Sequence, residues 1–471
     1  MADDVLNARV CIGLVDTVLA GESSRGDALH VPKSMSAIVA GRVGGARLIK
    51  MVRRVHAGKS KESRLFLIEC VLEIAERRGA AGGRARVVQS CVVKRSALAP
   101  ALAPAAALEV APAGALSVFA PQAVVDAQCS IVGNWMLENA KSPWYPSVYA
   151  VVTGEHGSNG GGNEPTRGNE PTRGNEPTRG NETTCVATVM QQLDGSLEEL
   201  IKSGFFERGA SGGGGGAAKS SRSAIDWTRV AAMLCQVVFG VAQGNALASL
   251  VHNDLHAANV MYESVPAQNY LFYRFVHREG AFKLRRTLAV PTFGRVYKQI
   301  DFGRASFAWP RDGNNTGAAA AMVSDFWHKS FARRHGLEAT RPQTDLVRMA
   351  FEIEHLLVND DGHALAARFN AGDAASMLVH RLITSWTGVK GGGTIRSKLH
   401  TLGLADDSES EIRCFVWLPM LGQATNPCTC RPPREYLEYF VPLFGVDDAD
   451  VPSDAVVYEF TGYDGADDGD T

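Results

Sequence analysis

The pattern of hydrophobic and polar positions changes its period several times along the chain. Apolar runs typical of buried strands occupy Val87–Lys94, Ser147–Val152 and Thr184–Met190. Ala123–Glu138 and Ile225–Ala248 instead space their apolar residues three and four apart, which is the pattern of helices with an apolar face. We therefore expect an α+β fold in which strands are concentrated before residue 190 and helices follow.

Near the start of the chain, a glycine-bearing turn separates two apolar runs. Gly41 and Gly44 lie in this turn, which could belong to a hairpin that covers the phosphates of a nucleotide or to an ordinary β-hairpin, because the spacing is not GxGxxG. A lysine on a neighbouring strand would then reach the α- and β-phosphates. We favour Lys94 over Lys50 for this role, since a second strand normally intervenes, although a strand-end lysine is more often a surface residue.

Two segments have compositions that cannot form a core. The six-residue unit Asn-Glu-Pro-Thr-Arg-Gly starts at residues 163, 169 and 175, and a truncated copy starts at 181. We predict a disordered insertion at about 154–183, carried by a hairpin loop. A second glycine-rich linker is expected at 209–223.

Charge and cysteine content limit the classes of partner. The formal net charge of the 471-residue chain is −2, so no nucleic-acid partner is expected, although residues 42–95 hold a surplus of basic side chains. Nine cysteines without a metal-binding spacing favour a reducing compartment. The N-terminus lacks the basic region of a signal peptide, and residues 97–121 carry four prolines, so we expect an intracellular protein without a membrane segment.

Two short motifs in the second half of the chain carry the strongest chemical signal. The first, Val251–Asn259, contains His252, Asp254 and Asn259; the second is the Asp-Phe-Gly triplet that begins at Asp301. Phosphoryl transfer needs a carboxylate that receives a hydroxyl proton, and an amide oxygen with a second carboxylate that hold Mg²⁺ on the phosphates. Together the motifs supply these groups in the expected order.

These motifs, the helix before them and the strand-to-hinge segment Asp194–Leu197 resemble the protein kinase fold. The run Val290–Lys298, which leads into Asp-Phe-Gly-Arg-Ala, is similar to serine/threonine protein kinases of large and giant DNA viruses. Within the hinge segment, Ser196 is expected to cap a short helix, with Glu198 and Glu199 in its first turn.

The resemblance implies a bilobal fold, with a small antiparallel β-sheet N-lobe and a mainly helical C-lobe. We expect the lobes at 35–190 and 191–446, preceded by an N-terminal extension at 1–34 and followed by a mobile acidic tail at 447–471. The C-lobe would contain an added hairpin within 263–298, because 41 residues separate Asn259 from Asp301 and strand-like runs lie at Tyr270–Val276 and Ala281–Val290.

The resemblance also assigns roles to the site. It implies a protein kinase that uses ATP and Mg²⁺, in which Asp254 is the catalytic base and Asn259 and Asp301 bind the metal. Lys94, Gly41 and Gly44 would contact ATP, and either Glu109 or Asp126 would pair with the lysine. The acceptor would be a Ser or Thr hydroxyl of a protein.

Supporting roles follow from the same resemblance. Gly303 would allow the turn after the metal ligand, Asp345 would brace the backbone of the catalytic loop, and His252 would pack there. Asn253 stands where many kinases have arginine, so an activation-loop phosphate is not expected to control this site. His256 either points to solvent or marks a different acceptor, because the pattern HxDxHxxN is also that of aminoglycoside and choline phosphotransferases.

Two further functions therefore stay open. The chain lacks an Ala-Pro-Glu after the Asp-Phe-Gly, which together with His256 suits a small-molecule phosphotransferase. The unusual glycine turn and the undecided lysine partner suit a pseudokinase scaffold that binds nucleotide without turnover.

Overall fold

The computed structural model of the chain describes part of the sequence. The described residues are 29–30, 47–59, 63–75, 84–97, 108–110, 116–140, 142–156, 183–208, 225–279, 282–308, 321–324, 343–354, 357, 369, 372–387 and 433–459. Gly41 and Gly44, the six-residue repeat, the linker 209–223 and the end of the acidic tail lie outside them.

The chain divides into two compact units. Residues Met1–Ala107 and Ser147–Gln192 form the first, and Leu108–Pro146 and Leu193–Thr471 form the second. The boundary between Gln192 and Leu193 lies two residues after the boundary that was predicted between residues 190 and 191. The segment Leu108–Pro146, which the predicted division assigned to an N-lobe, belongs with the second unit.

The first unit contains a six-stranded antiparallel sheet. Its spatial order is β1-β7-β8-β4-β3-β2. The strands are β1 (Leu29–His30), β2 (Arg47–Lys59), β3 (Ser63–Ala75), β4 (Arg84–Ala97), β7 (Val148–His156) and β8 (Thr183–Gln191). The three strands predicted from buried-strand patterns are confirmed. His156 pairs with Thr183, so the repeat joins two neighbouring strands, as a hairpin insertion should.

The second unit combines helices with three small sheets, which confirms the mixed α+β class. Its described α-helices are α1 (Gln122–Asn139), α2 (Leu197–Lys202), α3 (Trp227–Ala248), α4 (Gln343–Ile353), α5 (Ala374–Thr387) and α6 (Val441–Phe444). Its strands are β5 (Leu108–Val110), β6 (Leu116–Ala120), β9 (Gly195–Ser196), β10 (Val260–Ser264), β11 (Tyr270–Glu279), β12 (Phe282–Pro291), β13 (Arg295–Gln299), β14 (Ser306–Phe307), β15 (Ala321–Ser324), β16 (Gly445–Val446) and β17 (Val457–Glu459). The sheets have the orders β13-β10-β9, β16-β12-β11-β17 and β14-β15-β6-β5.

Helix α3 is the buried centre of the second unit. It begins after Asp226, whose side chain accepts a hydrogen bond from the Arg229 backbone, and it ends at Ser249 in the left-handed conformation. The helix is long and apolar enough to cross a membrane, but 83% of its most apolar window is buried inside the protein. This burial is typical of a core helix, and it fits the apolar residues that the sequence places on more than one face.

Two glycines of helix α3 make room for a pair of aromatic side chains. Trp144 and Tyr145 are fully buried beside α1 and α3. A Cβ at Gly240 would lie 2.4 Å from the Trp144 ring, and one at Gly244 would lie 2.4 Å from the Tyr145 hydroxyl oxygen. The close approach of the segment before β7 therefore depends on these glycines.

The predicted start of α2 is confirmed in detail. The Ser196 side chain accepts a hydrogen bond from the Glu199 backbone N–H, and the Glu199 carboxylate accepts one from the Ser196 N–H. This capping box satisfies two backbone donors at the helix start, and Glu198 and Glu199 lie in the first turn, where the helix dipole favours negative charge.

The added hairpin is confirmed. The expectation of a mobile acidic tail is wrong for the first part of that tail, residues 447–459. β11 and β12 pair over their full length, and β16 and β17 add to the two edges of this hairpin. Asp448 accepts hydrogen bonds from Thr287 and Arg274, and Glu459 accepts one from Arg285. Residues 445–459 are therefore held by strand pairing and by opposite charge on the hairpin, which was not visible in the composition of the tail.

Candidate active site

The loop that carries Asp254 is attached to the chain after the Asp-Phe-Gly turn. Val251 and Ser306 exchange two backbone hydrogen bonds of 2.8 and 2.9 Å. The loop then forms a 3₁₀ turn at Ala257–Asn259 and continues into β10. This bridge brings the two sequence motifs to one place in the second unit.

Asp345 holds the backbone of this loop, as predicted. Its two carboxylate oxygens accept hydrogen bonds from the backbone N–H groups of His252 and Asn253, each 2.8 Å long. Asp345 lies in the first turn of α4 and is almost fully buried, so burial raises the pKa of its carboxyl to about 7 while these two bonds oppose the rise. Asn253 has a φ of 63°, and the two bonds help to hold this unusual backbone conformation.

His252 packs between the two motifs, which confirms its predicted structural role. Its Nε2 lies 2.9 Å from the carbonyl oxygen of Ile300, and its ring centroid lies 4.9 Å from that of Phe302. Burial lowers the pKa of the imidazole, so the side chain is neutral at pH 7. A neutral ring suits a packing residue, since it adds no buried charge.

Asn259 links Asp254 to the segment before Asp301. Its side-chain Nδ2 donates to the Asp254 carbonyl oxygen over 3.0 Å, and its own carbonyl oxygen accepts from the Ile300 N–H over 3.0 Å. The first bond uses the amide nitrogen and thereby fixes the direction of the amide oxygen, which is the atom that a hard cation would bind. The structure therefore brings Asp254, Asn259 and the residue before Asp301 together.

The Asp-Phe-Gly turn differs from the expectation at its glycine. Asp301 is the residue with a left-handed backbone, with a φ of 64°, whereas Gly303 lies outside that region and a Cβ there would make only ordinary contacts. The prediction that Gly303 allows the turn is therefore wrong. The Asp126 carboxylate, on α1, accepts the Phe302 N–H over 2.7 Å, and this buried bond fixes the turn.

The chemistry of the donors at this turn fits magnesium. Asp301 supplies an exposed carboxylate and Asn259 an amide oxygen, and Mg²⁺ is usually bound by one or two carboxylates together with substrate phosphates and water. Within the described ranges, no group of three or more His, Cys, Asp or Glu side chains could hold a metal ion.

The Asp254 carboxylate lies in an environment that shifts its titration. Burial raises the pKa of Asp254 to about 6, and Arg304 and Arg348 act in the opposite direction. The Arg304 Nη1 donates to Asp254 Oδ2 over 2.8 Å. With a pKa near 6 the carboxylate is mostly ionised at pH 7, which is the state that a general base needs.

His256 lies beside Asp254 rather than pointing to solvent, which corrects one of the two sequence interpretations. Its Nε2 lies 3.9 Å from Asp254 Oδ2, within the range of an ion pair. Burial and the nearby Arg348 lower the pKa of His256 to about 4. Because the ring is then uncharged at neutral pH, we regard the contact as a polar one between a neutral imidazole and a carboxylate.

Three contacts of this site were not predicted. The hydrogen bond from Arg304 to Asp254 could have been suspected only because Arg304 directly follows the Asp-Phe-Gly triplet. Arg348, which lies one helical turn after Asp345, pairs with Glu352 over 3.1 Å and acts on the pKa of Asp254. The bond from Phe302 to Asp126 had no sequence signal beyond an acidic residue on a predicted helix.

The roles of Lys94, Gly41 and Gly44 as ATP contacts stay predictions. Lys94 lies on β4 in the first unit, where it pairs with Leu65 and Thr188. Gly41 and Gly44 lie outside the described residues. Glu109 lies on β5, and Asp126 binds the Asp-Phe-Gly turn, so the choice of acid for the lysine stays a prediction.

Comparison of the chain with protein-family models, and separately with curated proteins, finds no match.

Proposed function

We propose that this chain is an ATP- and Mg²⁺-dependent protein kinase with a bilobal fold, which transfers the γ-phosphoryl group to Ser or Thr hydroxyls. The observation that carries the proposal is the position of Asn259, whose side chain binds the Asp254 backbone and whose backbone binds Ile300 next to Asp301. This arrangement joins a general base to two oxygen donors suited to a hard cation.

In the proposed reaction, the oxygen of the acceptor hydroxyl attacks the γ-phosphorus, the bond from that phosphorus to the bridging oxygen breaks so that ADP leaves, and Asp254 accepts the proton of the hydroxyl. Its pKa of about 6 keeps it ionised at neutral pH. Asn259 and Asp301 would hold Mg²⁺, which supplies positive charge to the phosphate oxygens when bound. Asp345, His252 and Asp126 position these groups through the backbone bonds described above.

Labelled ATP tests this proposal directly. Wild-type protein is incubated with Mg²⁺, γ-labelled ATP and a mixture of generic protein acceptors, and label is measured in the protein fraction. We expect incorporation that requires Mg²⁺. Absence of incorporation into every protein acceptor, with ATP binding intact, would count against a protein kinase.

A small-molecule phosphotransferase is the second candidate, and the placement of His256 beside Asp254 favours it. The same reaction with aminoglycosides and choline as acceptors separates the two functions by where the label appears. A pseudokinase scaffold is the third; it would show a nucleotide-dependent increase in thermal stability with Mg²⁺ but no transfer to any acceptor.

A further inference from the structure

The two oxygens of the proposed base have different surroundings. Arg304 Nη1 donates to Asp254 Oδ2 over 2.8 Å, and His256 Nε2 lies 3.9 Å from the same oxygen. Oδ1 accepts no hydrogen bond within the described part of the chain, and it is not one of the buried polar atoms that lack a partner. The carboxylate therefore has one oxygen that is bonded to the protein and one that is open to an acceptor.

An aspartate side chain does not keep such a difference by itself. Its last torsion is broad and roughly twofold, so rotation about the bond between Cβ and Cγ exchanges the two oxygens. A charge-assisted hydrogen bond to Oδ2 opposes this rotation, and such bonds are stronger where water is mostly excluded. The side chains of Arg304 and Asp254 are 25% and 12% exposed, so their bond lies in such a place.

The backbone of Arg304 is attached to the loop that carries the base. Its carbonyl oxygen accepts a hydrogen bond from Asn253 Nδ2 over 3.2 Å, directly before Asp254 in the chain. Two residues after Arg304, Ser306 exchanges two backbone hydrogen bonds with Val251. The long arginine side chain therefore starts from a backbone that is held beside the base, which makes the direction of its bond to Oδ2 reproducible.

Other polar groups around Asp254 act on different atoms. Asp345 accepts from the backbone N–H groups of His252 and Asn253, and Arg348 pairs with Glu352 on its own helix over 3.1 Å. Neither of them bonds to the carboxylate of Asp254. Among the described residues, Arg304 is thus the one that donates a hydrogen bond to this carboxylate.

We propose that Arg304 is a positioning residue, which holds Asp254 Oδ2 so that Oδ1 faces the acceptor hydroxyl and receives its proton. This inference rests on the proposed protein kinase function and deepens it. The proton moves from the hydroxyl to Oδ1 as the bond to the γ-phosphorus forms and ADP leaves, and the bond from Arg304 to Oδ2 is kept throughout. Since Arg304 directly follows the Asp-Phe-Gly triplet, the segment that supplies Asp301 also orients the base.

Chemical rescue by free guanidinium ions tests the proposal. Arg304→Ala removes the guanidinium, and an added ion can take its place beside Oδ2. The rate of a single turnover is measured with the full chain in excess over γ-labelled ATP, in the presence of Mg²⁺ and a protein acceptor, so that product release does not limit it. We expect Arg304→Ala to lose about a hundredfold in this rate, as a displaced catalytic group does, and guanidinium to restore about tenfold. ATP should bind with unchanged affinity, because Arg304 acts on the base.

Matched controls separate a positioning role from general effects of charge. Arg304→Lys keeps a charged donor without the planar fork, so its rate should lie between those of Arg304→Ala and the wild type. Arg208→Ala removes an exposed arginine that pairs with Asp373; it should keep the wild-type rate and should not respond to guanidinium. Sodium chloride at the same ionic strength should not rescue Arg304→Ala, since screening cannot replace a hydrogen bond. Guanidinium is kept well below the concentration that unfolds each protein.

The outcomes separate this inference from the proposed function. A wild-type rate in folded Arg304→Ala, a rate that guanidinium raises no more than sodium chloride does, or a large loss of ATP binding would overturn the role of Arg304 and leave the kinase proposal standing. No transfer to any protein acceptor, by a folded wild-type protein that binds ATP, would overturn both. If thermal unfolding shows that Arg304→Ala is misfolded, Arg304→Gln and Arg304→Lys decide: the lysine variant should be the faster of the two, and the reverse order would contradict the proposal.

Discussion

Replacement of Asp345 by alanine should damage both stability and the site. The change removes the acceptor of two buried backbone hydrogen bonds, from His252 and Asn253, each 2.8 Å long. An unsatisfied buried donor costs about 1–3 kcal/mol, so two donors predict a loss of about 2–6 kcal/mol. We expect a loss in the lower half of this range. Burial raises the pKa of the Asp345 carboxyl, which shows that burying its charged form is costly, and the alanine variant no longer has this cost.

The loss of this brace should also reduce turnover. Asp254 follows Asn253 directly, and a displacement of a catalytic group by about 1 Å can cost roughly a hundredfold in rate. The assay combines chemical denaturation followed by tryptophan fluorescence with kcat measured under saturating ATP. Asp345→Asn keeps one acceptor oxygen and should fall between alanine and the wild type in both measurements.

Asp373 offers a matched control. Its carboxylate accepts a backbone N–H from Ser376 at the start of α5, over 3.0 Å, and pairs with the exposed Arg208. Asp373→Ala should cost about 1 kcal/mol, as removal of a helix-capping side chain does, and should leave kcat unchanged. A free energy of unfolding for Asp345→Ala within about 1 kcal/mol of the wild-type value, or a loss of kcat no larger than that of Asp373→Ala, would contradict a bracing role for Asp345.

Three further predictions concern the base, the core and the tail. The rate of phosphoryl transfer should fall roughly tenfold between pH 7 and pH 5, because Asp254 with a pKa of about 6 becomes protonated; a rate that is flat over this range would exclude it as the base. Gly240→Ala should lower the free energy of unfolding by about 1–3 kcal/mol in denaturation experiments, since the new methyl group meets the buried Trp144 ring, and unchanged stability would contradict the described packing. Asp448→Ala should lower the melting temperature more at low salt than in 0.5 M NaCl, because salt screens its pairs with Arg274 and Arg285 but not its hydrogen bond with Thr287; a decrease that does not change with salt would contradict an electrostatic contact.

Local patterns in the sequence were sufficient for several elements of the second unit. Helix α3 follows from the spacing of apolar residues, and the hairpin β11–β12 from the alternation typical of strands. The Ser196 cap follows from a side chain that bonds to the start of its own helix. The same reasoning located the loop at 251–259 and the turn at 301–303. These predictions needed no knowledge of distant contacts.

Contacts between distant segments could not be predicted in this way. Asp126 and Phe302 are 176 positions apart, and the Thr287 contact with Asp448 spans 161. Acidic composition alone suggested that the tail was mobile, because composition does not show which basic residues a fold places opposite it. The assignment of the turn to Gly303 failed for a related reason: the bond from Phe302 to Asp126 holds the turn, so that the left-handed residue is Asp301.

The most direct test of the central claim is transfer of labelled γ-phosphate from ATP by the wild type, Asp254→Asn and Asp301→Ala, in parallel and with Mg²⁺ present. We expect that both variants stay folded and lose nearly all transfer. Asp301→Ala should also lose the dependence of ATP binding on Mg²⁺, while Asp254→Asn keeps it. Transfer at the wild-type rate by either folded variant would contradict the assignment of this site.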